Sequence, residues 1–456
     1  MKKILLFLMV FSLFLTAACR PAAPADEIEG NPSAGRQPTT IDPDEVPEPN
    51  DVQIGSPNGL APYNGTLSLS ENVKNLCKDF PRKEIGYVRD EGYPAAAADF
   101  GLRLMQNTAQ DGKNTLISPL SAMFALGMTA LGAEGNTYVQ MEQTLLGKNS
   151  AVHLHHSLAA AEQWMSGAEG VNLANAVWLR DQGLTMEKNY LQQATDYYGA
   201  AIYAAPFDQT TKTDVNNWVK HYTKGMIPAI LDETPKKQEQ LYLINALSFE
   251  SQWISPFTAA NVQKGTFTAA DGKKQTVDMM RHTEDDYLEN QLATGFKKRY
   301  LNNYYFVALL PKEGTPEQLL TALNGENWQD LLTSKENSVV HITLPKFHTA
   351  TNFSLVEPLQ SMGIRDAFDP AKADFSAMGN SQAGPLYISK VVQKTVFDLD
   401  ENGTRAAAAT AVGMSGGACV QAPPTEYTVT LDRPFIYAIV SGDNVPLFLG
   451  IANSIK

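Results

Sequence analysis

The chain is 456 residues long, with 43% hydrophobic and 19% charged side chains, enough for one large core or for two to three average domains. Its 36 Lys and Arg against 49 Asp and Glu leave a net charge of −13, which argues against nucleic-acid binding and describes a solvated acidic surface. Three cysteines, Cys19, Cys77 and Cys419, make neither a disulfide framework nor a metal-ligand spacing.

Met1-Lys2-Lys3 and the apolar run from Ile4 to Leu15 have the form of a secretory signal, basic at its start and too short to span a bilayer. The run closes on Leu15-Thr16-Ala17-Ala18-Cys19, which resembles a bacterial lipobox with Thr16 where Leu is usual. Residues 1–18 are then a lipoprotein signal peptide, and Cys19 is the lipidated first residue. That predicts a membrane-anchored protein whose body is exposed at the cell surface or outside the cell. From Arg20 to Tyr63 there are nine prolines and eight acidic residues against Arg20 and Arg36, with few apolar side chains. Such a composition does not bury enough surface to offset its ordering entropy, so residues 19–69 are expected to be a disordered tether. A flexible segment of that length reaches on the order of 40–50 Å.

A folded domain is expected over 70–456. Tyr93 to Asn107 reads as a helix with Ala97, Phe100 and Leu104 on one stripe. Ser118 is an N-cap and Pro119 a first helical residue for a second helix, Leu120 to Leu131, apolar nearly all round and therefore buried; Gly132 ends it. Strand candidates follow at Leu173–Leu179, Leu241–Phe249, Tyr304–Leu310, Val339–Leu344, Thr428–Val440 and Pro446–Ile451. Helices and strands interleave without a βαβ rhythm, which fits an α+β fold with large, mainly antiparallel sheets.

Catalytic signatures fail on inspection. Gly413-Met414-Ser415-Gly416-Gly417 matches G-x-S-x-G, but a nucleophile elbow needs an acid and then a histidine downstream, and the last histidine is His348. His153, His155 and His156 lack a nearby Cys, Asp or Glu to complete a metal site. No phosphate loop or dinucleotide fingerprint occurs, so no cofactor and no metal are expected. The chain does not read as an enzyme.

One stretch stands out, Glu401-Asn402-Gly403-Thr404-Arg405-Ala406-Ala407-Ala408-Ala409-Thr410-Ala411-Val412. At strand period Thr404, Ala406, Ala408, Thr410, Val412 and Met414 share one face, all uncharged, while Arg405 falls on the other. Local composition alone allows a linker, a helix or a strand that waits at the surface.

From about residue 85 onward the chain resembles the serpins. The resemblance rests on Asn114 to Ser121 with Ala125-Leu126-Gly127-Met128, on Leu173-Ala174-Asn175-Ala176, and on Asn217-Trp218-Val219. It continues through Leu243-Ile244-Asn245-Ala246 with Trp253, Leu344-Pro345-Lys346-Phe347, Met362-Gly363-Ile364 and Ala373-Asp374-Phe375-Ser376. Asp432-Arg433-Pro434-Phe435 and Pro446-Leu447-Phe448-Leu449-Gly450 close the series in the family's order.

The resemblance implies three β-sheets, about eight to nine helices and an exposed reactive-centre loop at about 401–427. It implies a monomeric suicide inhibitor, whose partner is a serine protease held as a covalent complex. The hinge would be Glu401, Gly403, Thr404, Ala406, Ala408 and Thr410. Ser118, Ser121 and Asn245 match the polar cluster where strands part, with Gln393 in place of the usual histidine, and Trp253 matches the tryptophan where insertion begins. On the family's usual spacing from Gly403 the scissile bond is Gly417–Ala418. The loop is longer than in familiar members, which admits Ala418–Cys419 or Cys419–Val420. Between Arg405 and Arg433 there is no Lys or Arg, and no aromatic before Tyr427, so elastase-like or subtilisin-like targets are expected over trypsin-like ones. The rival expectation is a non-inhibitory serpin acting as a binding or chaperone-like protein.

Overall fold

The computed structural model describes residues 65–86, 90–147, 153–404 and 423–455. A two-residue strand, β1 (Lys74–Asn75), precedes helix α1 (Tyr93–Thr108), whose stripe Ala97, Phe100 and Leu104 is fully buried. Strand β2 (Thr115–Ile117) leads into α2 (Pro119–Ala130), capped by the Ser118 hydroxyl and buried on nearly every side. Gly132 is not the cap. The helix ends at Leu131 in right-handed conformation, and glycine follows because a Cβ at 132 would meet the Met378 Cβ at 2.4 Å.

Helices α3 (Gly135–Leu146) and α4 (Leu154–Ser166) follow, then β3 (Val171–Arg180), β4 (Leu184–Met186), α5 (Lys188–Tyr198) and β5 (Ala201–Ala205). Helix α6 (Gln209–Tyr222) opens on an Asp208 capping box, which fixes its start. Strands β6 (Leu241–Phe249) and β7 (Ser251–Gln252) are separated only by Glu250. The meander β8 (Val262–Thr268), β9 (Lys274–Glu284), β10 (Tyr287–Glu289), β11 (Ala293–Arg299) and β12 (Tyr305–Pro311) comes next. Two short capped helices, α7 (Pro316–Ala322) and α8 (Gly325–Leu331), precede β13 (Ser338–Pro345), β14 (Phe347–Ser354) and α9 (Val356–Met362). The chain ends with β15 (Gly379–Ser381), β16 (Val392–Leu399), β17 (Gly403–Thr404), β18 (Thr425–Thr430), β19 (Phe435–Val440) and β20 (Pro446–Ala452). Thr428–Val440 is thus two strands, not one. Pro434 lacks the N–H a ladder needs, and the chain changes sheets there.

Six strands in the order β10-β11-β12-β19-β20-β2 form the most buried sheet; every residue of β19 and β20 is buried. A second sheet runs β18-β13-β9-β8, with β18 parallel to β13, and β15 and β4 make a small ribbon. The remaining strands form two four-stranded halves, β1-β5-β3-β6 and β14-β16-β17-β7. Because β6 runs on into β7, the halves are joined at one end only. There β17 pairs with β16 on one side and β7 on the other. Below that junction β6 and β16 are not paired with each other, and a cavity of about 170 Å³ lies between them over α2. The expected three-sheet α+β architecture is present, its central sheet split by this cleft. Nine α-helices occur among the described residues.

Candidate functional site

The site is the mouth of the cleft and the first residues of the stretch singled out above. After β16, Asp400 turns the chain. Its carboxylate accepts the Asn402 N–H at 2.7 Å and the Gly403 N–H at 3.2 Å, and its own N–H donates to the Gly403 carbonyl at 3.0 Å. Burial lifts this carboxyl above the usual range, and the N–H bond from Asn402 pulls it back. A turn at 253–257 then grips the hinge from outside. The Trp253 N–H donates to the Asn402 carbonyl at 2.8 Å and the Phe257 N–H to the Glu401 carbonyl at 2.9 Å, while the Trp253 indole donates to the Asp400 carbonyl at 3.1 Å. Glu401 is ion-paired with Lys346 at the start of β14.

Gly403 and Thr404 are already sheet residues. Thr404 lies opposite Leu399 on one side and Ser251 on the other, and Gly403 opposite Gln252. The Thr404 side chain is 1% exposed and its hydroxyl meets that of Tyr300, whose ring stacks on Trp253 at 4.2 Å. Thr404 therefore points into the core. Ala406, Ala408, Thr410, Ser415, Gly417, Ala418 and Cys419 lie outside the described residues, as does Cys19.

Along the cleft the structure joins some of the expected polar residues and separates others. The Gln393 amide, on β16, clasps the Ser118 backbone from both sides. Its oxygen accepts the Ser118 N–H at 2.9 Å and its NH₂ donates to the Ser118 carbonyl at 2.8 Å. The Ser118 hydroxyl donates to the Leu447 carbonyl at 2.7 Å and accepts the Ser121 N–H at 3.4 Å, and Ser121 lines the cavity. Asn245, on β6, stands across the cleft and bonds none of these. Its NH₂ donates to Asn175 on β3 at 2.9 Å, and Asn175 donates to the Tyr198 carbonyl at 2.7 Å. The Asn245 oxygen is buried without a partner. At the level of sequence Asn175 is only part of a family motif, with no site role, and Tyr300 is not singled out. Each meets the site through a side-chain contact that tertiary structure creates, Asn175 with Asn245 and Tyr300 with Thr404 and Trp253, which no local pattern announces.

His155, one of the three clustered histidines, is half-buried with its ring 2.8 Å from the Tyr198 hydroxyl, and desolvation holds it down at a pKa of about 4. Among the described residues no three His, Cys, Asp or Glu side chains gather as a metal site would require. None of the described helices is long and apolar enough to cross a membrane.

Residues 95–455 match the family described as serpin (serine protease inhibitor). Among curated proteins, leukocyte elastase inhibitor A of Mus musculus is 31% identical over 380 residues, covering 77% of this chain and 96% of its own. Serpin B10 of Otolemur garnettii is 30% identical over 379 residues, covering 75% and 93%. Among solved structures the thermophilic serpin tengpin in its native state is 37% identical with a TM-score of 0.76, covering 84% of this chain and 100% of that one. A thyroxine-binding globulin solved with thyroxine shares the fold at 23% identity and a TM-score of 0.67, so the same fold also occurs in a protein that binds a small molecule. With a family match over residues 95–455 and relatives aligned over nearly their full length, the chain belongs to the serpin family, most of whose members inhibit proteases.

Proposed function

We propose that this protein is an irreversible suicide-substrate inhibitor of serine proteases, of the elastase-like or subtilisin-like kind. The observation that carries the reading is Thr404, a small uncharged residue buried between β16 and β7 at the head of an unfilled cleft. A strand growing from this point has one way to go, down between β6 and β16.

In the proposed reaction the protease serine attacks the carbonyl of the scissile bond, Gly417–Ala418 on the family's spacing. The C–N bond breaks, the new amine leaves with the C-terminal piece, and an acyl-enzyme remains. The freed loop then continues the strand begun at Gly403, with Ala406, Ala408 and Thr410 following Thr404 into the core. Every new residue adds ladder hydrogen bonds and buries small apolar surface. The protease, joined by its ester, is carried along. Acyl transfer depends on sub-ångström placement of the catalytic groups, so distortion of their geometry arrests deacylation. The bait contributes specificity by what it lacks, since a pocket with a buried carboxylate finds no Lys or Arg to pair between Arg405 and Arg433.

Incubation with pancreatic elastase or subtilisin, followed by a denaturing gel, tests this. A band at the summed mass that survives SDS is expected, with a released peptide starting at Ala418. Loop cleavage that leaves the protease fully active would overturn the reading. The same proposal has Cys19 lipidated and the body displayed outside the cell, with a tether that ends before Leu67 and Leu69, which pack on the folded body and so shorten the expected 19–69 segment. Palmitate labelling that is abolished in Cys19→Ser is the expected result, and unchanged labelling would refute the anchor.

A further inference from the structure

Lys298, on β11, is a lysine whose side chain is 1% exposed. Its ammonium donates to Glu284 on β9 and, at 2.7 Å, to the Ser255 carbonyl. It also lies over two rings, 4.7 Å from the centre of Phe257 and 5.4 Å from that of Trp253. Those rings and that carbonyl belong to the turn whose N–H groups hold Glu401 and Asn402. Burial lowers the pull of Lys298 on its proton, and Glu284 offsets this. A leucine or methionine fills such a position at less desolvation cost, so packing alone does not explain a cation here.

The rest of the corner leaves the ammonium no equivalent. His282 Nδ1 lies 2.8 Å from the Glu284 oxygen that Lys298 uses, but out of hydrogen-bonding alignment. The Trp253 and Phe257 side chains offer only apolar faces inward. Among the described residues Lys298 supplies both a donor for the Ser255 carbonyl and a charge for the two rings.

We propose that Lys298 is a positioning residue for the hinge: its ammonium holds the Trp253–Phe257 turn in the shape that grips Glu401 and Asn402, and thereby sets how readily the loop enters the cleft. The last clause rests on the insertion reading above, and the first does not. Because Glu284 lies on β9, which pairs with β13 and so leads to β18 beyond the loop, the same ion pair ties both loop ends to one corner.

The test is residue-resolved hydrogen exchange on the uncleaved full chain, reading the amides of Trp253 and Phe257. In Lys298→Met these two amides are expected to lose protection by about tenfold or more, while those of β11 and β12 hold. The double variant Lys298→Met with Glu284→Met removes both charges and relieves the unpaired carboxylate, yet the two amides are expected to stay exposed. Lys298→Arg, which keeps a donor and a cation over the rings, is expected to restore protection. Protection unchanged in Lys298→Met, loss spread evenly over β11 and β12, recovery in the double variant, or an Lys298→Arg variant no better than Lys298→Met would each overturn the proposal. Exchange is read on the free protein, so these outcomes stand whether or not a protease complex forms. Where the parent protein does give a complex, Lys298→Met is expected to shift the ratio of cleaved to trapped chains by a similar factor.

Discussion

Thr404 shows what one side chain decides. It is the last described residue before the loop, and it is enclosed between two strands with its hydroxyl against Tyr300. A charged residue here is withdrawn from solvent, since Thr404 is 1% exposed, at a cost of roughly several kcal/mol. Thr404→Arg is therefore expected to leave the fold intact but to expel the hinge, so that an attacking protease cleaves the loop and departs active. The measurement is the stoichiometry of inhibition, expected to rise by about tenfold or more, since 1.4 kcal/mol already gives a factor of ten. A variant that traps as well as the parent removes the central premise. Gln393 makes the complementary point. A side-chain amide carries one acceptor and two donors at every ordinary pH, so its two bonds to Ser118 do not depend on a tautomer or a charge state, unlike those of an imidazole.

At the scale of elements, the segment from Leu67 to Lys83 behaves as a strap. Leu67, Leu69 and Val73 pack against a smaller apolar cluster in which Trp218 of α6 meets Trp178 of β3 and Ile244 of β6, and β1 extends the sheet at β5. Three buried carboxylates on three helices are met by this strap. Asp214 of α6 accepts both the N–H (2.8 Å) and the hydroxyl (2.6 Å) of Ser70, Glu162 of α4 pairs with Arg82, and Asp196 of α5 accepts the Lys83 N–H at 2.8 Å. Ser70→Ala strips one of two bonds from a buried anion and is expected to cost about 1.5–3 kcal/mol, read as a lower denaturant midpoint at unchanged slope. An unchanged midpoint would show that water replaces the hydroxyl. The same scale explains which elements were legible. The α1 stripe and the Ser118–Pro119 start of α2 are local patterns, so helical period and cap chemistry suffice. The break between β18 and β19 depends on a change of sheet, and the role of Gly132 on the approach of Met378, neither of which is local.

For the whole molecule the cleft is the governing feature. A central sheet in two halves, joined only through β17, leaves β6 and β16 without each other's hydrogen bonds and encloses about 170 Å³ that side chains do not fill. On the insertion reading proposed above, one added strand of small inward residues would remove both deficits without overpacking. Cleaving the loop with a non-target protease is thus expected to raise the melting temperature by tens of degrees, an inversion of the usual effect of a nick. Scanning calorimetry before and after cleavage checks it; a melting temperature that stays level or falls would mean that the loop does not enter the cleft.

The sequence by itself determined the α+β class, the buried second helix, five of the twenty described strands to within two residues, and the uncharged alternation along 404–412. These follow from periodicity, capping and side-chain size, which act over a few residues. It also brought Ser118, Gln393 and Trp253 into view, though only through the order of motifs along the chain. Tertiary structure alone decided that Asn245 answers to Asn175 on the neighbouring strand β3 rather than to Ser118, and that a lysine is buried behind the hinge. It alone decided that Gly403 and Thr404 are already held in the sheet. Those contacts join residues 43 positions apart at Lys298 and Ser255, 70 at Asn175 and Asn245, and 104 at Tyr300 and Thr404, and strand register and packing, not local pattern, bring such distant groups together.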